Sequence, residues 1–300
     1  MKYLVTTAIA ALLATSAAAE GWKEDYQVIK FGILSGENEK DRIARYTPFE
    51  EYLEAELGVE VEIFTAGNYD GVIQAIAADQ IEFAFFGSSS YAAAYTATDG
   101  GVDPLLSRLQ NDGSTGYYSI IVTRCDSGLA DLESLKGKVL AFADPDSTSG
   151  YAVPYFNLAK EVDPTNYFAA VPFSGSHEAG VQGVVNGTFD AAATYMTNET
   201  NGIIPRMVSK GMIEEGEACP IWQSPEITSG PFTARANLPE SLKADMKQAV
   251  IDIVEKNPEA FKQMTGGDES TQKGWIEVDH SRYEWIVDMR DWLKKERRGS

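Results

Sequence analysis

Three hydroxyl residues in a row, Ser147-Thr148-Ser149, stand between Asp144-Pro145-Asp146 and Gly150-Tyr151. The apolar run Val139-Leu140-Ala141-Phe142 before them reads as a buried strand, and Tyr151 to Val162 after them reads as a helix. A strand-to-helix turn of this composition presents side-chain O–H groups, free backbone N–H groups and the positive end of a helix dipole to one point. That is an anion cradle built without Lys or Arg. Taken alone, the same hydroxyls also read as a helix cap. Polar or aromatic loops recur after other expected strands: Ser88 to Tyr91, Ser174 to Glu178 around His177, and Tyr195 to Asn198. Their coincidence at strand ends favours a ligand cleft over four unrelated caps.

Other chemistries find little support. The two His and two Cys are scattered, without paired metal-ligand spacing, and no cofactor is expected. The nucleophile elbow, the phosphate-binding P-loop and the dinucleotide fingerprint are absent from the sequence. An enzyme reading needs His177 to act as base for one of the serines, which sequence alone does not support.

The elements that must position these loops alternate. Val28 to Leu34 reads as a strand and runs into Ser35-Gly36-Glu37-Asn38. Thr47-Pro48 reads as a helix start, followed by the apolar stripe Phe49, Tyr52, Leu53 and Leu57. A strand over Val59 to Thr65, a helix through Val72, Ile73 and Ile76, and a short strand Phe83 to Phe86 complete a parallel α/β unit. The chain turns near Asp112 to Gly116 and enters the β-prone run Tyr117 to Thr123, taken as a crossing between domains. A second α/β unit follows, with strands near Ala169 to Val171 and over Phe189 to Thr194. Pro220 to Gln223 and Pro231 to Ala234 are strand-like and could return the chain. After Pro239 the reading is helical, with Trp285, Ile286, Met289, Trp292 and Leu293 on one core-facing stripe.

The first residues divide into Met1-Lys2, an apolar run from Leu4 to Ala14 and Ala17-Ala18-Ala19, the three regions of a secretory leader, giving 1–19 as signal peptide and export to the periplasm. No other stretch is long and apolar enough to span a bilayer. The formal charge of −20 argues against nucleic acid as a partner and leaves any affinity for an anion to oriented local donors. An oxidising compartment would permit Cys125 and Cys219 to pair, and two free buried thiols are the other reading.

The chain resembles the PhnD family, the periplasmic phosphate/phosphite/phosphonate-binding proteins of ABC importers. The matching segments are Phe31-Gly32-Ile33, Thr47-Pro48-Phe49, Leu57-Gly58-Val59, Tyr69 with Gly71-Val72-Ile73-Gln74, Gly116-Tyr117 and, above all, Asp144-Pro145 with Ser147-Thr148-Ser149-Gly150. His177-Glu178 and Asp190 also fall in register. The resemblance implies a type II periplasmic binding fold, two α/β lobes on a hinge, with 20–116 and 235–300 in one lobe and 117–234 in the other. It implies that Ser147, Thr148 and Ser149 hold the phosphonate oxygens, that His177 donates from the next loop, and that Tyr69 and Tyr117 close from the other lobe and the hinge. A histidine beside an oxyanion should gain proton affinity, so binding is expected to weaken as pH rises. Family members that take aminoethylphosphonate hold its amine with carboxylates, and the matching positions here read Thr197 and Gly230. Glu199 stands close enough in sequence to substitute, and Tyr195 offers a cation–π face. The expectation is a carrier of a small phosphonate or phosphite that delivers it to an ABC permease. The rivals are a carrier of phosphate or a sulfonate, a receptor that presents its ligand to a membrane sensor, and an enzyme on the same fold.

Overall fold

The structure, a computed structural model, describes residues 21–266 and 272–299. The expected signal peptide lies outside the described residues. Twelve strands follow in chain order: β1 (Val28–Ile33), β2 (Glu60–Thr65), β3 (Phe83–Phe85), β4 (Val102–Gln110), β5 (Gly116–Arg124), β6 (Leu140–Ala141), β7 (Ala191–Asn198), β8 (Asn201–Gly202), β9 (Ala218–Gln223), β10 (Ile227–Thr228), β11 (Pro231–Arg235) and β12 (Gln272–Glu277). They form two sheets. The first runs β12-β4-β11-β3-β1-β2; the second runs β10-β5-β7-β6, with β9 paired to β5 and β8 to β7.

In the first sheet β1 pairs in parallel with β2 and β3, while β11 and β12 run antiparallel to their neighbours. β1 and β3 are apolar on both faces because both faces are covered. Phe31 packs with Phe49 and Leu53 of the helix Glu39–Leu57 in one core, and Ala84 packs with Val72 and Ile76 of the helix Tyr69–Ala77 in the other. Gly32 allows that approach: a Cβ there would sit 2.5 Å from Val72 Cγ1. The second sheet is covered likewise, by Val181 and Val184 on one side and Tyr151, Leu158 and Phe168 on the other. The core around Val72, Ile76 and Ala84 also takes in Ala152, Val153 and Ile227 of the second unit, so the two sheets share packing at their junction.

Two crossings join them, at 111–115 and 229–230, and they are tied together: Ser229 N–H donates to Thr115 O (3.1 Å) and Ser107 Oγ donates to Ser229 O (3.1 Å). β11 lies in the first sheet, between β3 and β4, so the return crossing falls before Pro231 rather than after residue 234. Cys125 and Cys219 form a disulfide where β5 and β9 pair.

Several local readings are corrected. The first long helix begins at Glu39 under an Asn38 cap, whose side chain accepts from Lys40 N and Asp41 N, and Pro48 is interior. The packing of Arg42, Tyr46 and Phe49 on that helix outweighs the lost bond at Pro48. β4 and β12 were not legible. β4 contains Pro104, a strand breaker accommodated beside a register shift in the pairing with β11. The segment near Ala169 to Val171 makes only isolated bridges, Val139 to Ala170 and Phe142 to Phe173. In the last helix, Glu284–Gly299, Ile286, Met289 and Leu293 are buried but Trp285 is exposed.

The turn after β6 is also not a plain α-helix start. Thr148–Ala152 is a π-helical turn that passes into the α-helix Val153–Leu158. The cause is local: Gly150 O accepts from Ala143 N–H (2.9 Å), and Pro154, the residue that would reach it in an α-helix, has no N–H.

Candidate ligand cleft

A cavity of about 240 Å³ opens between the sheets and draws its walls from both. Ser147, Thr148 and Ser149 form one end. All three are buried, and each is held by a different device. Ser147 Oγ caps its own turn by accepting from Gly150 N–H (3.0 Å). Thr148 Oγ1 accepts from Ser89 N–H (2.8 Å), at the start of the helix Ser88–Ala97 on the opposite sheet. Ser149 is fixed through its carbonyl, which accepts from Ser119 Oγ (2.6 Å). The three hydroxyls thus converge on one point, where they also meet the Tyr69 and Tyr117 phenols and His177. Gly150 makes this compactness possible, since a Cβ there would lie 2.5 Å from Ala143 Cβ and 2.9 Å from His177 Cε1.

The two aspartates of the motif clamp the loop to the first sheet's elements. Asp144 accepts from Asp146 N–H (2.8 Å) and, across the cleft, from Tyr69 N–H (3.3 Å). Asp146 pairs with Arg290 (2.6 Å), which also donates to Ser89 Oγ (2.7 Å). The Tyr69 and Tyr117 phenols interact with Ser147 and with Thr148 and Ser149, respectively, and burial drives the pKa of both upward, so they remain neutral donors.

His177, the first residue of the helix His177–Val185, reaches the same end. Its Nε2 lies 3.3 Å from Ser147 Oγ and its Nδ1 3.1 Å from Thr194 Oγ1. Burial, and then the nearby Arg206, lower its pKa to about 4. The imidazole is therefore neutral before a ligand arrives. Hydroxyls on both ring nitrogens and a depressed pKa also make it a poor general base.

The rest of the wall is charged, and Arg206 reaches back toward the cradle: it lies 5.9 Å from the Tyr195 ring, which is itself 5.0 Å from His177. Arg45, Arg108 and Arg206 line the cavity, together with one carboxylate, Glu37. Arg45 Nε donates to Glu37 Oε1 (2.8 Å), Arg206 lies 3.8 Å from the same carboxylate, and Lys210 lies 3.7 Å from it. Burial would raise the Glu37 pKa, but Arg45, Arg206 and Lys210 outweigh it and hold the group below its ordinary value. Arg45 and Arg108 donate to the carbonyls of Met264 and Thr265, the last turn of the helix Pro258–Thr265. Arg108 and Gln110 sit two apart on β4 and so share a face. Lys210 bridges Glu178 (2.6 Å) on its own side to Asp41 (2.8 Å) on the other, closing that rim.

The structure thus brings Ser147, Thr148, Ser149 and His177 together with Tyr69 and Tyr117, and places Tyr195 and Thr197 on the same wall. Glu199 is not part of it: it is exposed in the β7–β8 turn, where Asn198 Oδ1 accepts from Thr200 N–H (3.1 Å) and Asn201 N–H (2.9 Å). Gly230 does line the cavity, but a Cβ there would lie 1.9 Å from Phe86 O, so no side chain fits. Neither proposed amine-binding position supplies a carboxylate. The arginines were missed. Arg108 lies within the apolar run Leu105-Leu106-Ser107-Arg108-Leu109, the one faint cue that its charge is turned inward.

Among the described residues, no group of three or more His, Cys, Asp or Glu is placed to hold a metal, and no helix is long and apolar enough to cross a membrane. Comparison with known proteins gives a consistent answer. Residues 31–283 match the family model described as "ABC transporter, phosphonate, periplasmic substrate-binding protein". The phosphonates-binding periplasmic protein of Escherichia coli is 33% identical over 226 residues, 74% of this chain and 64% of that protein's length. The phosphate-import protein PhnD of Mycolicibacterium smegmatis is 29% identical over 287 residues, 92% of this chain and 82% of its own. Two crystal structures share the fold: a binding-protein component of a Pseudomonas aeruginosa ABC phosphonate transporter (TM-score 0.76, 24% identity, 88% and 85% coverage) and the Prochlorococcus marinus PhnD1 complex with methylphosphonate (TM-score 0.77, 22% identity, 90% and 99% coverage). With most of its length matched by that family model, the chain belongs to the family of periplasmic substrate-binding proteins of phosphonate ABC transporters.

Proposed function

We propose that this protein captures a small phosphonate or phosphite in the cleft and presents it to an ABC permease, leaving the ligand chemically unchanged. The observation that carries the reading is the hydroxyl cradle, whose buried Ser147, Thr148 and Ser149 are fixed by bonds within the loop and to the opposite sheet and converge with Tyr69, Tyr117 and His177 on the cavity. The name of the E. coli relative, phosphonates-binding, supports the same ligand class, while that of the M. smegmatis relative, phosphate-import, supports the phosphate rival. The lobes are taken as 21–110 with 231–299, and 116–228. Groups from both reach the cavity, so a bound anion would favour the closed arrangement over an open one by its differential contacts.

The low basicity of His177 fits a carrier better than a hydrolase. A serine–histidine pair with Thr194 behind it lacks the carboxylate that orients and charges a catalytic imidazole. Export to the periplasm follows from the family and from the leader-like 1–19.

Calorimetry of the purified protein with phosphite, methylphosphonate, aminoethylphosphonate, phosphate and sulfate tests the reading. A phosphonate or phosphite should bind tightest, and recovered ligand should be intact. Tightest binding to sulfate would sink it, and turnover of any phosphonate would move the protein to the enzyme class.

A further inference from the structure

The far end of the cavity holds more positive charge than the protein neutralises. Glu37 is its one lining carboxylate, and that group is divided among Arg45, Arg206 and Lys210. Arg108 is left with the Thr265 carbonyl at 3.3 Å, and none of the carboxylates of the described residues stands within ion-pair distance of it. A half-buried cation among like charges without a counter-ion is unfavourable unless something supplies negative charge. Burial, followed by Arg45 and Arg206, acts to lower the pKa of Arg108.

A second observation points to a guest at this place. Trp275, paired with Arg108 across β12 and β4, lines it with an unpartnered, buried Nε1. Unsatisfied buried polar groups are rare in folded proteins and are expected where a ligand completes them.

This end is distinct from the cradle. Thr148 meets Gly87 and Ser89, just beyond β3, whereas Arg108 ends β4, two strands away in the order β4-β11-β3. Two interstrand spacings amount to roughly 10 Å, a gap that a short linker and the reach of a guanidinium would close.

We infer that the preferred ligand is a phosphonate carrying a second acidic group on a short carbon linker, with the phosphorus oxyanion in the Ser147–Ser149 cradle and the second acid, a carboxylate or phosphate ester, against Arg108 and the Trp275 Nε1–H. This rests on the phosphonate reading of the cradle. A fork of N–H donors suits a planar carboxylate or a phosphate oxygen pair. The same charges repel an ammonium group, and neither Gly230 nor Thr197 offers a carboxylate to hold one.

The test is calorimetry of the intact protein with methylphosphonate, phosphonoacetate, 3-phosphonopropionate, phosphoglycolate, aminoethylphosphonate and sulfate, repeated on Arg108→Gln and Arg108→Lys. Phosphonoacetate or 3-phosphonopropionate should bind at least tenfold more tightly than methylphosphonate, and aminoethylphosphonate more weakly. In Arg108→Gln the advantage of the diacid should fall toward one, with partial recovery in Arg108→Lys. Phosphoglycolate, which has no carbon–phosphorus bond, binding tighter than both carboxyphosphonates would overturn a phosphonate as the preferred ligand. Diacids that bind no better than methylphosphonate, or aminoethylphosphonate binding tightest, would overturn the inference while leaving the phosphonate reading intact. Sulfate outbinding every phosphonate would instead overturn the parent reading. The native panel decides even where a variant fails to fold.

Discussion

At one end of the cleft the polar groups are neutral, Ser147, Thr148, Ser149 and His177, and their positions are set by hydrogen bonds within and across a short loop. At the other end they are guanidinium groups, Arg45, Arg108 and Arg206, anchored on the last carbonyls of a helix and on a single glutamate. The difference is one of recognition. Hydroxyls both donate and accept, so they can match an oxyanion and its remaining proton, whereas guanidiniums only donate and answer mainly to charge. In a chain of net charge −20 the guanidinium end supplies a local field that the protein as a whole opposes, and the cradle supplies directionality.

Four perturbations separate the two ends, and the largest concerns the wall between them. Gly230→Asp would install the missing amine-binding carboxylate, but its Cβ must displace the Phe86 carbonyl at 1.9 Å. A stability loss of about 3 kcal/mol is expected, read by denaturant unfolding. A stable Gly230→Asp protein that gains aminoethylphosphonate affinity would show that the wall is more pliable than its packing implies.

Next come Ser147→Ala, Thr148→Ala and Ser149→Ala, each costing about 1.5–3 kcal/mol in affinity for every phosphonate tested, as lost hydrogen bonds to a charged group. Ser149→Ala is the cleanest, because its side chain neither caps the turn nor crosses to Ser89. Unchanged affinity in all three would reduce the loop to a helix cap.

His177 tests the neutrality of that end. Its folded pKa, about 4, lies below the unfolded value, so the unfolded chain takes up a proton first as pH falls. The stability it contributes is fully present above about pH 6.5 and is lost towards pH 4, about 2 kcal/mol between pH 7 and pH 5. Melting of His177→Gln should therefore depend less on pH over that window than melting of the parent. Equal slopes would mean that the imidazole is solvated and able to charge.

The smallest effect belongs to the rim of the arginine end. Lys210→Met removes the bridge between Glu178 and Asp41 and should weaken closure by about 1 kcal/mol, seen as a modest, ligand-independent affinity loss. A loss confined to diacids would place Lys210 in the recognition of the second acid rather than at the rim.

The two ends were also unequally legible from sequence. The cradle is contiguous, 144–150, and its strand-to-helix context is written in the flanking residues, so its place on the second sheet and its neighbours His177 and Tyr195 could be anticipated. The arginine end is assembled from residues 45, 108, 206 and 264–265, which only tertiary packing brings together. Its central strand, β4, was hidden by Pro104, and β12, which carries Trp275, follows a helical stretch. The charge of Arg108 gave little clue, since one arginine in an apolar strand is as easily an edge residue. Glu199 misled for the opposite reason: nearness in sequence placed it by the ligand, and a turn held by Asn198 carries it to the surface.

The most direct test of this division is the affinity of Ser149→Ala and Arg108→Gln for methylphosphonate, measured side by side by calorimetry. Recognition of the phosphorus oxyanion by the cradle predicts a loss of tenfold or more in Ser149→Ala and a clearly smaller loss in Arg108→Gln. A larger loss in Arg108→Gln, with Ser149→Ala close to the parent, would contradict it.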